Sequence, residues 1–142
     1  MTLPIQLRML LENKKRCFLA TCYLDKPHLS LMLFTYLPDD NLIILSSRPD
    51  TTKVKNIINN REVALLLYSS GSAKEKPFSC TLYGSAKVIS KEKDNFYREC
   101  HYKKHRDMGV FITGENISVI TVEIKNAIIS DLEDSVQTWS AE

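Results

Sequence analysis

Three apolar runs crowd into the stretch from Cys17 to Ser47, with only a few residues between them. CFLATCYL (Cys17 to Leu24) is followed by an Asp25-Lys26-Pro27 turn and HLSLMLFTYL (His28 to Leu37). A second turn, Pro38 to Asn41, leads into LIILSS (Leu42 to Ser47). Parallel neighbours need a crossover of about a dozen residues or more, so strands spaced this closely must pair antiparallel. The pattern continues in EVALLLYS (Glu62 to Ser69), after which Ser70 to Pro77 forms a polar loop. Phe78 to Ser90 alternates in its first half and breaks at Gly84. Ser118 to Asn126 places Ile120, Val122 and Ile124 on one face, and Ala127 to Leu132 continues it or pairs beside it. A glycine inside a strand marks a bulge or a close approach. A small set of antiparallel strands hides its edges best by curling closed. The expected fold is therefore mainly β with flanking helices (α+β), a six-stranded antiparallel split β-barrel in one domain over residues 1–142.

Three helices flank the strands. Leu3, Leu7, Leu10 and Leu11 share one helical face, with Thr2 placed to cap and Pro4 suited to the first turn. A short helix runs from about Thr51 to Asn59, with Val54, Ile57 and Ile58 on one side. A third is expected from Lys91 to Arg106, capped by Ser90, with Phe96, Tyr97 and Cys100 on its buried side. The strand His28 to Leu37 is apolar on both faces, which requires cover on both. One face lines the barrel and the other meets a helix or a second subunit, so a homodimer is expected.

Composition narrows the class. Apolar residues make up 44% and charged residues 25%, with a net charge of +2. Those proportions describe an ordinary soluble domain and give no basis for nucleic acid or membrane binding. Nothing approaches a membrane span. The N-terminal basic residues follow the apolar ones, the reverse of a secretory signal, so a cytoplasmic location is expected. Cys17, Cys22, Cys80 and Cys100 contain no C-x-x-C pair and read as buried free thiols.

The chemistry concentrates in Leu42 to Val63, LIILSSRPDTTKVKNIINNREV. Strand gives way to helix there across Ser46, Ser47, Thr51, Thr52 and Lys53. First-turn amides of a helix lack partners and the helix dipole favours an anion at that end. The hydroxyls and one ammonium complete a cradle for a phosphate group. A lysine in a first turn is otherwise disfavoured by the dipole, and a bound anion removes that penalty.

The order of elements, with LATCYLDKPH (Leu19 to His28), HLSLMLF (His28 to Phe34), ILSSRPDTTKVKNI (Ile44 to Ile57) and TLYGSAKVI (Thr81 to Ile89), resembles the pyridoxamine 5′-phosphate oxidase-like, FMN-binding split-barrel family. The resemblance spans roughly Leu3 to Leu132. It implies a homodimer with two FMN sites at the subunit interface. It further implies that Ser47, Thr51, Thr52 and Lys53 hold the FMN phosphate with Ser46 beside them. Ser30, Leu31, Met32 and Leu33 would run along the isoalloxazine, and Ser79 would reach the flavin from the other subunit. Trp139 resembles a C-terminal aromatic that covers the ring in some members. Ser30 and Thr52 stand where the true oxidase has arginines, and Phe78-Ser79 replaces its Arg-Gln pair. The chain ends SVQTWSAE without an Arg-Leu-x-x-Arg motif. Oxidation of pyridoxine phosphate is therefore not expected.

His101 and His105 are four residues apart on the third helix, spacing that can present two metal ligands. Their neighbours Tyr102, Lys103, Lys104 and Arg106 are basic or neutral, so a solvated helix face is expected and no metal site. The run Lys103 to Arg106 suits a helix C-terminus, and His28 receives no role. No nucleophile–base pair and no carboxylate pair stands out, so any catalysis falls to a cofactor. The expected activity is an FMN-dependent oxidoreduction of a small molecule, with a nicotinamide nucleotide as a transient reductant. The alternative is a non-catalytic flavin- or haem-binding or redox-sensing protein of the same fold. A deazaflavin is a further cofactor choice.

Overall fold

The computed structural model describes residues 2–133 and 135–141. Its frame is one antiparallel sheet of eight strands. The strands are β1 (Arg16–Tyr23), β2 (Lys26–Leu33), β3 (Thr35–Leu37), β4 (Leu42–Ser47), β5 (Glu62–Ser69), β6 (Phe78–Ile89), β7 (Ser118–Asp131) and β8 (Val136–Ser140). The helices are α1 (Ile5–Asn13), α2 (Thr52–Asn59), α3 (Asn95–Lys104) and the short α4 (Val110–Thr113), with a 3-10 turn at Arg106–Met108.

Strand order is β2-β1-β5-β6-β7-β4-β3, with β8 added to β7. The two ends of this path, β2 and β3, are consecutive in the chain. The sheet therefore curls until β2 lies near β4. Covalent continuity through Phe34 bridges the gap where ladder hydrogen bonds are missing. This is the split in the barrel, and the candidate site lies along it.

The expected count of six strands becomes eight for two physical reasons. First, the run His28 to Leu37 breaks at Phe34, whose ring is wholly buried. Its backbone leaves the ladder because other groups satisfy it. The amide donates to the Lys15 carbonyl at 3.0 Å, and the carbonyl accepts from His105 Nε2 at 2.7 Å. Second, β7 is long enough to serve two partners. Residues 118–123 pair with β4, and Asn126 to Ser130 pair with β8. The polar C-terminal segment becomes a strand because that half of β7 has an open edge. The turn after β1 sits at Leu24-Asp25, both at positive φ, one residue earlier than the Asp-Lys-Pro reading.

Gly84 marks a bulge, as the break in alternation indicated. Pairing runs Tyr83 with Asn126 and then Gly84 with Ile124, so Lys125 is the extra residue. A Cβ at Gly84 would lie 2.4 Å from the Glu123 carbonyl oxygen and 2.8 Å from Val122 Cγ1. Backbone on the facing strand cannot yield cheaply. Gly84→Ala is expected to lose about 1–3 kcal/mol, the usual cost of overpacking. Thermal melting checks this, and an unchanged Tm would contradict the close approach.

The core fills the curl. Leu7, Leu10 and Leu11 of α1 are buried with Leu19, Phe34, Leu45, Leu65, Leu82, Ile120 and Val122 from the sheet. Helix α1 starts at Ile5 with Pro4 at the N-cap position and no side-chain cap, so Thr2 does not cap it. Cys17 and Cys80 are buried and Cys22 and Cys100 half-buried, all as free thiols. Burial pushes the Cys17 thiol up to about 12 and Cys80 to about 11, which leaves both inert near neutrality.

Helix α3 departs most from expectation. It begins at Asn95 with Asp94 at the N-cap position, while Ser90 to Lys93 form only a turn. Phe96, expected inside, is exposed. His101 and His105, expected on a solvated face, are fully buried. Burial of an imidazole is tolerable when hydrogen bonds satisfy it. His101 Nδ1 lies 2.8 Å from Thr35 Oγ1, and His105 Nε2 donates to the Phe34 carbonyl. The rings meet edge to face, with centroids 4.9 Å apart. The pair thus pins α3 to the chain where β2 passes into β3.

Candidate functional site

Ser46 and Ser47 end β4 in the middle of the barrel split. The chain then turns through Arg48, Pro49 and Asp50 into α2. The turn is held from within. Thr51 Oγ1 donates to the Arg48 carbonyl at 3.0 Å and meets Ser47 Oγ at 3.0 Å. Since the Thr51 proton is committed to Arg48, Ser47 is the donor of that pair, unless it turns to the Arg48 carbonyl at 3.2 Å. Both hydroxyls therefore shape the turn. Neither caps α2: Thr51 occupies the N-cap position without a side-chain hydrogen bond to the helix amides. The donors left for an anion are the first-turn amides, Lys53 and the terminal guanidinium groups of Arg48.

A cleft of about 470 Å³ opens over this turn. Its floor is Leu31, Met32 and Leu33 of β2. Its polar end is Ser46, Ser47, Arg48, Thr51 and Lys53, and Met108, Phe111 and Ile117 form the opposite wall. The volume falls in the range of roughly 300–1,000 Å³ typical of small-molecule sites. The ionisable lining groups are the two cations Arg48 and Lys53. Burial and the neighbouring Arg48 charge both lower the Lys53 pKa. Asp50 meets Arg48 at 3.2 Å, but both side chains are largely exposed, so the pair screens little. An anion in the cleft would relieve the mutual repulsion.

Seven of the eleven expected site residues meet in this cleft: Leu31, Met32, Leu33, Ser46, Ser47, Thr51 and Lys53. Thr52 is the exposed first residue of α2 and does not line it. Ser30 pairs across from Leu19, and its buried Oγ has no hydrogen-bond partner among the described residues. Ser79 stands on β6 beside Tyr68 and Ser130, with its hydroxyl 3.5 Å from that of Ser130. Within one chain it is not part of the cleft. Trp139 lines a separate recess with Tyr36, Asp40 and Glu123.

The far wall was not anticipated. Met108, Phe111 and Ile117 lie between the third expected helix, which ends at Arg106, and the strand that starts at Ser118, a stretch given no site role. Its apolar run, MGVFI, was the available signal. Ser46 Oγ donates to the Phe111 carbonyl at 3.1 Å and ties α4 to β4. Arg98 donates to the Ile112 and Ile117 carbonyls, and Lys91 to those of Glu115 and Ile117, which fixes the wall from behind. Among the described residues, no three His, Cys, Asp or Glu side chains converge in a metal-binding arrangement.

A family model described as "Pyridoxamine 5′-phosphate oxidase" matches residues 3–123. The chain belongs to the pyridoxamine 5′-phosphate oxidase-like split-barrel family. A pyridoxamine 5′-phosphate oxidase homolog of Schizosaccharomyces pombe is 32% identical over 173 aligned residues, covering 97% of this chain and 90% of the relative. Solved structures of this fold include a heme binding protein from Mycobacterium smegmatis and a FAD-binding protein from Mesorhizobium loti. The first has a TM-score of 0.81 at 14% identity, over 99% of this chain and 60% of that one. The second has a TM-score of 0.74 at 14% identity, over 90% of this chain and 94% of that one. Split-barrel structures of this kind thus include both a flavin binder and a haem binder.

Proposed function

We propose that this member of the split-barrel family is a flavin-binding protein that takes FMN in the cleft along its barrel split. The observation that carries the reading is the uncapped start of α2, which faces a cleft whose ionisable lining groups are cations. Free amides, the helix dipole and the Lys53 ammonium together suit a phosphate monoester. Leu31, Met32 and Leu33 offer an apolar strand for a flat ring to lie along, with Met108 and Phe111 opposite. When bound, a flavin supplies reversible one- and two-electron transfer. The chain's residues hold the phosphate, orient the ring and exclude water from one of its faces.

A homodimer completes the proposal. The outer face of β2, β1, β5 and β6 carries Leu31, Phe18, Leu66 and Thr81 in one row and Leu29, Ala20, Ala64 and Tyr83 in the next. Leu29 is 67% and Leu31 61% exposed. Two adjacent uncharged rows on an open sheet face are the kind of patch that marks a protein interface. A second copy would cover it and carry its Ser79 and Tyr68 along. The double variant Leu29→Glu, Leu31→Glu is expected to sediment as a monomer where the parent sediments as a dimer. A monomeric parent at micromolar concentration would end the dimer proposal.

The test of the cofactor is the visible spectrum after FMN is added and the protein desalted. A retained flavin spectrum with saturable quenching supports the reading. A band from added haem, with no flavin retained, moves the assignment to the haem-binding alternative. Whether the bound flavin turns over is a separate question. Anaerobic mixing with nicotinamide nucleotides distinguishes an oxidoreductase, whose flavin bleaches rapidly, from a binder, whose flavin does not.

A further inference from the structure

Part of the cleft's far wall is fastened at both ends and loosely held between them. At one end, buried His105 donates from Nε2 to the Phe34 carbonyl. At the other, Ile112 is fully buried, and its carbonyl accepts from Arg98, which is itself paired with Asp94. Residues 106–111 run between these anchors like a strap and carry Met108 and Phe111 into the cleft. The Met108 amide donates to the His105 carbonyl, and the Gly109 carbonyl accepts from the Ile112 and Thr113 amides. Those bonds keep the strap's own shape. Among the described residues, one hydrogen bond ties the strap to the sheet, from Ser46 Oγ to the Phe111 carbonyl at 3.1 Å. Val110 and Phe111 beside it are 73% and 58% exposed. A segment with few buried apolar contacts sits at the low end of local stability. The exposed Phe111 ring keeps apolar area in reserve for a flat partner. A serine hydroxyl has one proton to give. While the strap is closed, the Phe111 carbonyl takes it, and none is left for a phosphate.

We infer that Ser46 is a positioning residue, the latch that holds Phe111 over the cleft and sets how fast a bound ring escapes, and that it is not a ligand of the phosphate. The inference rests on the flavin reading for the identity of the ring, while the latch itself needs no ligand. A ring lying between Leu31 to Leu33 and Phe111 leaves only when the strap lifts. Lifting breaks the Ser46 bond and spares both anchors.

The experiment compares release of FMN with release of riboflavin, which lacks the phosphate. Loaded protein is diluted rapidly and the recovery of flavin fluorescence is followed. In Ser46→Ala both flavins should leave about two- to tenfold faster and by the same factor, the loss expected for one neutral hydrogen bond. Ser46→Thr keeps a hydroxyl and should restore the parent rates. Faster release of FMN alone would make Ser46 a phosphate ligand and overturn the latch, as would unchanged release of both. Amide exchange on flavin-free protein tests the latch without the cofactor. Ser46→Ala should speed exchange across residues 106–113 while β5 and β6 keep their protection, and Ser46→Thr should not. Exchange equal to the parent's, or acceleration spread evenly over the sheet, counts against the latch. Protein that retains neither flavin refutes the cofactor reading, and the exchange result then decides the latch alone.

Discussion

Acidification from pH 7 to pH 4 is expected to remove about 3 kcal/mol of folding stability through His101 alone. Burial, with the charges of His105 and Lys104 adding to it, lowers the His101 pKa from 6.5 to about 3. The sign follows from proton binding. Between those values the unfolded chain takes up a proton that the folded chain refuses, so stability is complete above about pH 6.5 and falls as the pH drops toward 3. A doubly protonated ring would carry an N–H at Nε2, which has no partner among the described residues. His105 acts in the same direction. Burial depresses its pKa, the Phe34 hydrogen bond and Asp107 oppose that, and Lys104 and Lys15 reinforce it. Such a loss is a large part of the roughly 5–15 kcal/mol that holds a domain folded. Urea midpoints measured from pH 7 to pH 4 check it. The parent midpoint should fall steadily below pH 6.5, and a His101→Gln variant should lose part of that slope. A flat parent profile would rule out the buried neutral pair.

Lys53→Ala is expected to weaken FMN binding roughly 10- to 100-fold, the loss of one charge-assisted hydrogen bond of about 1.5–3 kcal/mol. The substitution removes the cation that lines the phosphate end of the cleft from α2. It should leave the fold intact, because Lys53 is only half-buried and the turn is held by Ser47, Arg48 and Thr51. Flavin fluorescence titrations of parent and variant, with thermal melts beside them, read the effect. Unchanged affinity in a folded variant would remove Lys53 from the phosphate site. A Thr51→Val variant makes a useful contrast. Its hydroxyl is committed within the turn, so its loss should appear in stability as well as in affinity.

Local features were legible in the sequence. The bounds of β4 and β5 follow directly from the apolar runs Leu42 to Ser47 and Glu62 to Ser69. The polar end of the cleft is a contiguous strand, turn and helix, so its residues could be named from one stretch of chain. The far wall could not be. Phe111 meets Ser46 across 65 positions, and no local pattern announces such a contact. The histidines were misread because burial patterns are inferred from apolar side chains. His101 and His105 are buried by hydrogen bonds to Thr35 and Phe34, groups that lie more than sixty residues away. Strand β8 was missed for a related reason. Its residues are mostly polar, and what recruits them is the free edge of β7 rather than their own composition.

The gap at Phe34 gives the barrel an unusual mechanical property. Widening the opening between β2 and β4 breaks no ladder hydrogen bonds, because none join those strands. The mouth can flex while the sheet behind it stays intact. A molecule bound there would act as a suture, supplying cross-links that the backbone leaves out. Amide exchange should report this as slowing along Leu31 to Leu33 and the end of β4, with little change in β5 and β6. Melting temperature should rise with the logarithm of ligand concentration, as mass action requires of anything that binds only the folded state.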